Sequence, residues 1–222
     1  MSLREINSDA LDLYAECINC QNTGLHCPGI WKDFRNGIPP RGFYFQNVPV
    51  KILIVGKNPG HPLSGESEYY VGRTGRDLLN SHRKFQEKYI PSPNSCQEPP
   101  TTFHNNLFRY LAFFLDVPED KIFLYVARTN LLKCSTPDEQ AKLRSIKVTV
   151  EECYRKYFLA ELRIFQPKVI LALGREVEKF LKKKAPMHKL PVIYVKHPSY
   201  PYSWEMEEIE LTKIKEQISS YL

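Results

Sequence analysis

At 222 residues, 42% of them hydrophobic and 12% aromatic, the chain is long enough for one domain with a sizeable core and too rich in core-forming residues to be disordered. No apolar run reaches the ~20 residues of a membrane-spanning helix, and six cysteines behind the polar opening Met1-Ser-Leu-Arg4 argue against a secreted disulfide scaffold. The formal charge of +6 favours a polyanionic partner, although many proteins of this charge have none. A soluble, intracellular, monomeric protein is expected, with no membrane association.

Near the start, Cys17-Ile-Asn-Cys20 places two thiolates close enough to share a metal centre. Two further cysteines, Cys134 and Cys153, lie far downstream, so a centre built on all four would clasp the N-terminal segment, residues 1–48, to the middle of the chain. Cys96 reads as an incidental or buried thiol, and Cys27 as a competitor for a ligand position.

Lys51-Ile-Leu-Ile-Val-Gly56 is a short apolar run ended by glycine, the pattern of a buried parallel strand. The turn that follows, Gly56-Lys57-Asn58-Pro59-Gly60, can connect strand to helix or aim backbone N–H groups at a ligand. It lacks the spacing and the final Lys-Ser/Thr of a phosphate-binding P-loop. Tyr69 and Tyr70 precede Val71-Gly72-Arg73-Thr74-Gly75 at a predicted helix start, where an aromatic ring packs inward or offers its face to a base. The proline-rich stretch from Tyr89 to Thr102 reads as a surface excursion.

A helix is expected over Phe103–Leu115, with Leu107, Leu111, Phe114 and Leu115 on one face, followed by a strand over Ile122–Val126 and then Asn130-Leu-Leu-Lys-Cys134. Thr149 and Glu152 suggest a capping box opening a helix that buries Tyr157, Leu159 and Leu162. A strand over Val169–Leu173 leads through Gly174 into a helix ending at Lys182-Lys183-Lys184, a run read as solvated. A last strand over Val192–Val195 precedes His197-Pro198-Ser199-Tyr200-Pro201-Tyr202. Strands alternating with helices imply a layered α/β domain with a mostly parallel sheet, whose ligand sites form beyond the carboxyl ends of the strands. His197 and the Asn58 turn would meet at that edge.

Taken together, the Gly56–Gly60 turn, the Tyr70–Gly75 segment, Asn130–Cys134, Pro167–Gly174 and His197–Tyr200 resemble, in that order, the motifs of the uracil-DNA glycosylase superfamily, especially its iron–sulfur branch, family 4. The resemblance spans roughly Cys17 to Tyr202. It implies a single α/β/α sandwich around a four-stranded, mostly parallel sheet, and a structural 4Fe–4S cluster on Cys17, Cys20, Cys134 and Cys153. Zinc uses the same four-cysteine ligand set and stays the alternative.

The implied function is a DNA repair enzyme that flips uracil, or a related deaminated base, out of cytoplasmic, nucleoid DNA and hydrolyses its N-glycosidic bond. The alternative is an inactive nucleic-acid-binding protein of the same fold. By resemblance, Asn58 and His197 are catalytic, while Gly56, Tyr70 and Asn130 bind the base. Arg73, Ser199, Tyr200 and Tyr202 contact DNA, with Tyr200 or Tyr202 as the wedge that fills the vacated stack. One departure stands out: the iron–sulfur branch usually reads Gly-Glu-Ala-Pro-Gly in the first loop, whereas Lys57 and Asn58 here resemble the asparagine loops of the mismatch-specific and single-strand-selective branches.

Overall fold

The computed structural model describes residues 49–58, 102–133, 147–200 and 202–222, together with Leu13 and Asp77. Cys17, Cys20, Cys27, Cys96, Cys134, Tyr70 and Arg73 lie outside the described residues, as do the N-terminal segment (Leu13 and the residues from 49 onward apart) and the excursion from Tyr89 through residue 101.

Four strands form the centre: β1 (Ile52–Gly56), β2 (Val126–Asn130), β3 (Val169–Leu173) and β4 (Val192–Val195). They lie in the order β2-β1-β3-β4, every pair parallel. All five residues of β1 and of β3 are buried, which is why both read as unbroken apolar runs. The α-helices whose bounds fall among the described residues are α1 (Thr102–Leu115), α2 (Lys147–Cys153), α3 (Leu159–Phe165), α4 (Arg175–His188) and α5 (Trp204–Ser219). A π-helical turn over Tyr154–Phe158 joins α2 to α3 and buries Tyr154, Tyr157 and Phe158 together.

Side chains alternate across the pleat and so divide between two cores. Leu53, Val55, Ala127, Ile170 and Ala172 pack on one face with Val150, Cys153, Tyr157 and Phe158 and with Val177 and Leu181 of α4. Ile52, Ile54, Val126, Leu171 and Val195 pack on the other with Leu107, Leu111 and Phe114 of α1 and Leu211, Ile214 and Ile218 of α5. Helices therefore cover both faces, and the expected α/β/α layering around a parallel four-stranded sheet is observed. Among the described residues, no helix is long and apolar enough to cross a membrane.

Local expectations differ from the structure in three places. Ile122–Val126 is not a strand: Glu119–Leu124 forms a 3₁₀ turn after Pro118, and β2 begins only at Val126. Ile122 is buried in the α1 face of the core and Phe123 packs edge-on to Phe108, so these apolar side chains are satisfied by a helix rather than by strand neighbours. The helix expected from Thr149 starts at Lys147, which places Thr149 inside the first turn and not at a cap; Glu152 instead pairs with Arg155. Finally, α4 runs past Lys184 to His188 with Pro186 in its last turn, and Lys189 in the left-handed region caps it.

Candidate active site

The carboxyl ends of β1 and β2 come into register at Gly56 and Asn130. Asn130 is buried, and a Cβ at Gly56 would lie 2.4 Å from its Oδ1 and 3.6 Å from its Cγ. Only glycine at 56 leaves the Asn130 amide where it is. Beyond the paired residues the two chains stay joined, with Leu131 N–H donating to the Gly56 carbonyl and Leu132 N–H to the Lys57 carbonyl, both at 2.9 Å. The end of β2 is thereby fixed to the turn that carries half-buried Asn58.

Below this corner lies a buried polar cluster. Lys133 Nζ donates to Glu161 Oε2 at 2.7 Å, to Thr129 Oγ1 at 2.8 Å and to the Asn130 carbonyl at 2.7 Å, using all three of its protons. Thr129 in turn donates its hydroxyl to Glu161 Oε1 at 2.7 Å. The Lys133 and Glu161 side chains are both fully buried, a placement that only complete pairing sustains.

His197 follows β4 by two residues and is half-buried. Its ring lies 5.3 Å from Phe103 at the start of α1 and 6.0 Å from Tyr200. Burial pushes its pKa below the ordinary 6.5, and the charges of Arg128 and Lys57 push the same way. The ring is therefore neutral at pH 7. The Ser199 backbone N–H donates to Nδ1 at 3.3 Å, so the proton of the neutral ring sits on Nε2. Arg128, two residues before Asn130, reaches the same Phe103 ring that His197 meets.

The loop that carries His197 is tied at several points. Tyr202 Oη accepts the Lys196 N–H at 3.2 Å across its base, and Asn106 Nδ2 of α1 donates to the Pro198 carbonyl at 2.8 Å. Arg109 of α1 forks onto Glu207 of α5 at 2.6 and 2.9 Å, and Tyr110 donates to the same carboxylate. Tyr202 thus turns inward, packing on the α1 face of the core, whereas Tyr200 is 70% exposed and Ser199 is exposed beside it.

Phe103 and Arg128 were not singled out by motif, yet they frame the histidine. The Arg128 guanidinium lies 4.5 Å above the Phe103 ring, on the ring that also meets His197. Beside Phe103, His104 is driven down to a pKa of about 3 by burial and by Arg128, so it too stays neutral. The sequence signal for Arg128 was a charge inside a buried strand, hidden because that strand was placed four residues early.

For the cysteines, Cys153 is buried in the core on the α2–α4 face, and among the described residues no three metal-binding side chains come together. Leu13, four residues before Cys17, packs against the same core. Lys133, next to Cys134, is anchored through Glu161 on the helical run that contains Cys153. The neighbours of the outlying cysteines are thus drawn to the Cys153 side of the sheet, and a four-thiolate site is compatible with these residues.

Comparison with known proteins agrees with this geometry. The family model described as the Uracil DNA glycosylase superfamily matches residues 43–217. The chain is also similar to the Type-4 uracil-DNA glycosylase of Sulfurisphaera tokodaii, 22% identical over 194 residues, which is 87% of this chain and 67% of the relative.

Proposed function

The chain belongs to the uracil DNA glycosylase superfamily, and from that premise we propose that its strand-end site excises uracil from DNA by hydrolysis, leaving an abasic site. The carrying observation is the pairing of Asn130 with Gly56 at the sheet edge that also presents a neutral, Nε2-protonated His197. A base stacked in a duplex cannot reach that edge, so it is flipped out first. Tyr70 stacks on the flipped base. Asn130 reads its edge, an amide complementing O4 and N3–H of uracil and mismatching the reversed pattern of cytosine. A polar group left unpaired by the wrong base costs about 1–3 kcal/mol.

Rupture of the glycosidic bond puts positive charge on the sugar and negative charge on the base. His197 donates its Nε2 proton in a hydrogen bond to O2 of the departing base, a contact that strengthens as the charge develops. Neutrality suits this role, because the ring orients through Nδ1 while its proton stays aimed at the base. Asn58 positions the water that adds to the sugar; an amide has no useful ionisation, so it orients the water without deprotonating it. Tyr200, exposed at the tip of its loop, fills the gap in the stack, with Ser199 beside it on the backbone. Arg73 takes a phosphate.

Four thiolates, from Cys17, Cys20, Cys134 and Cys153, would hold a 4Fe–4S cluster. Its contribution is structural, tying the N-terminal segment to the body of the enzyme. Together with Asn58, this gives an iron–sulfur scaffold with an asparagine-type first loop. Incubation of the protein with uracil-containing and control oligonucleotides, followed by alkaline cleavage at abasic sites, tests the reading: strand breaks at uracil alone support it, and intact uracil strands refute it.

A further inference from the structure

We propose that Lys133, held by Glu161 and Thr129, is a positioning residue for base recognition: it locks the peptide of Asn130 so that the Asn130 amide stays against Gly56. This role rests on the uracil-excising reading above and deepens it. A fully buried ion pair is weak evidence for stability, because well-packed apolar groups of similar volume often serve as well or better. What apolar groups cannot supply is the 2.7 Å bond from Lys133 Nζ to the Asn130 carbonyl. That bond acts on the residue whose side chain fills the space above Gly56.

The geometry leaves Lys133 little freedom. Its three protons are taken by three acceptors, each at 2.7–2.8 Å, and Glu161 also receives the Thr129 hydroxyl. Thr129 and Asn130 are consecutive residues of β2, so the cluster grips the strand at the two positions that end it. On the opposite side of the same peptide segment, Leu131 and Leu132 are tied to the carbonyls of Gly56 and Lys57. Asn130 is therefore held by α3 from one side and by β1 from the other. A recognising amide needs that, since its discrimination depends on where its donor and acceptor point.

The test replaces the cluster without stranding a charge. In Thr129→Val/Lys133→Met/Glu161→Met the core keeps its volume, and melting should stay within a few degrees of wild type. Single-turnover excision of uracil should fall by about 10²-fold while DNA affinity is unchanged. Asn130→Ala is then introduced into both backgrounds. If Lys133 acts through Asn130, the loss caused by Asn130→Ala should be much smaller in the triple variant than in the wild type. Should the triple variant not fold, Lys133→Met/Glu161→Gln, which removes both charges together and keeps the side-chain volumes, carries the same cycle. No cleavage by the wild-type protein would sink the glycosylase reading itself. A wild-type rate in the folded triple variant, or rate losses that simply add to that of Asn130→Ala, would overturn the positioning role alone.

Discussion

The Asn130 amide occupies the space a side chain at residue 56 would need, with its Oδ1 2.4 Å from where a Gly56 Cβ would stand. Gly56→Ala should therefore displace the amide and leave the sheet intact, because the backbone of β1 is compatible with alanine and the clash falls on the end of one side chain. Single-turnover excision should drop by about 10²-fold, with a melting temperature near that of the wild type. An active Gly56→Ala enzyme would show that Asn130 does not need this position.

The state of His197 makes a pH prediction. Burial first, then the charges of Arg128 and Lys57, hold its pKa below 6.5, so the neutral ring persists as pH falls through 6.5 and protonates only beneath that. Any acid limb in the rate due to His197 should lie below pH 6.5. In Arg128→Met one of the opposing charges is gone, and both that limb and the NMR titration of the His197 ring should move upward. An unchanged titration would remove Arg128 from the account.

Tyr200 is 70% exposed and its neighbour in the loop, Tyr202, is folded inward with its hydroxyl accepting the Lys196 N–H. Tyr200→Ala should slow excision from duplex far more than from single strands, where no stack needs filling. Tyr202→Phe should do little to duplex selectivity. Equal losses on both substrates in Tyr200→Ala would assign the ring some other task.

Iron content reports on the cysteines independently of activity. Protein prepared without oxygen should be brown and carry about four irons per chain. Cys153→Ser should lose iron and thermal stability together, since its thiol lies in the core on the α2–α4 face. Colourless protein with stoichiometric zinc would replace the cluster with the alternative metal.

Much of the fold was legible because β1 and β3 are apolar runs buried along their whole length and β4 is a mostly buried apolar run, and the turns after them carry the distinctive residues. Gly56, Asn130 and His197 were singled out by motif order, and the structure brings the first two into register at the end of β1 and β2. β2 was misplaced since its residues Arg128, Thr129 and Asn130 look like loop; their burial depends on partners in α1 and α3 that lie far away in sequence. Helix α5 went unread, although Leu211, Ile214 and Ile218 give it an apolar stripe amid its glutamates. Lys133 and Glu161 are opaque for a general reason: charged residues read as solvated, and only the fold reveals that each is the other's solvent.

The most direct measurement is single-turnover cleavage of a uracil-containing oligonucleotide by the wild type, His197→Ala and Asn58→Ala, with DNA affinity measured in parallel. Loss of a hydrogen bond made chiefly in the transition state should lower the His197→Ala rate by about 10²–10³-fold with binding largely spared. Asn58→Ala should also be slow, through a misplaced water. Wild-type rates in both variants would contradict the assigned chemistry, even with the fold and the family unchanged.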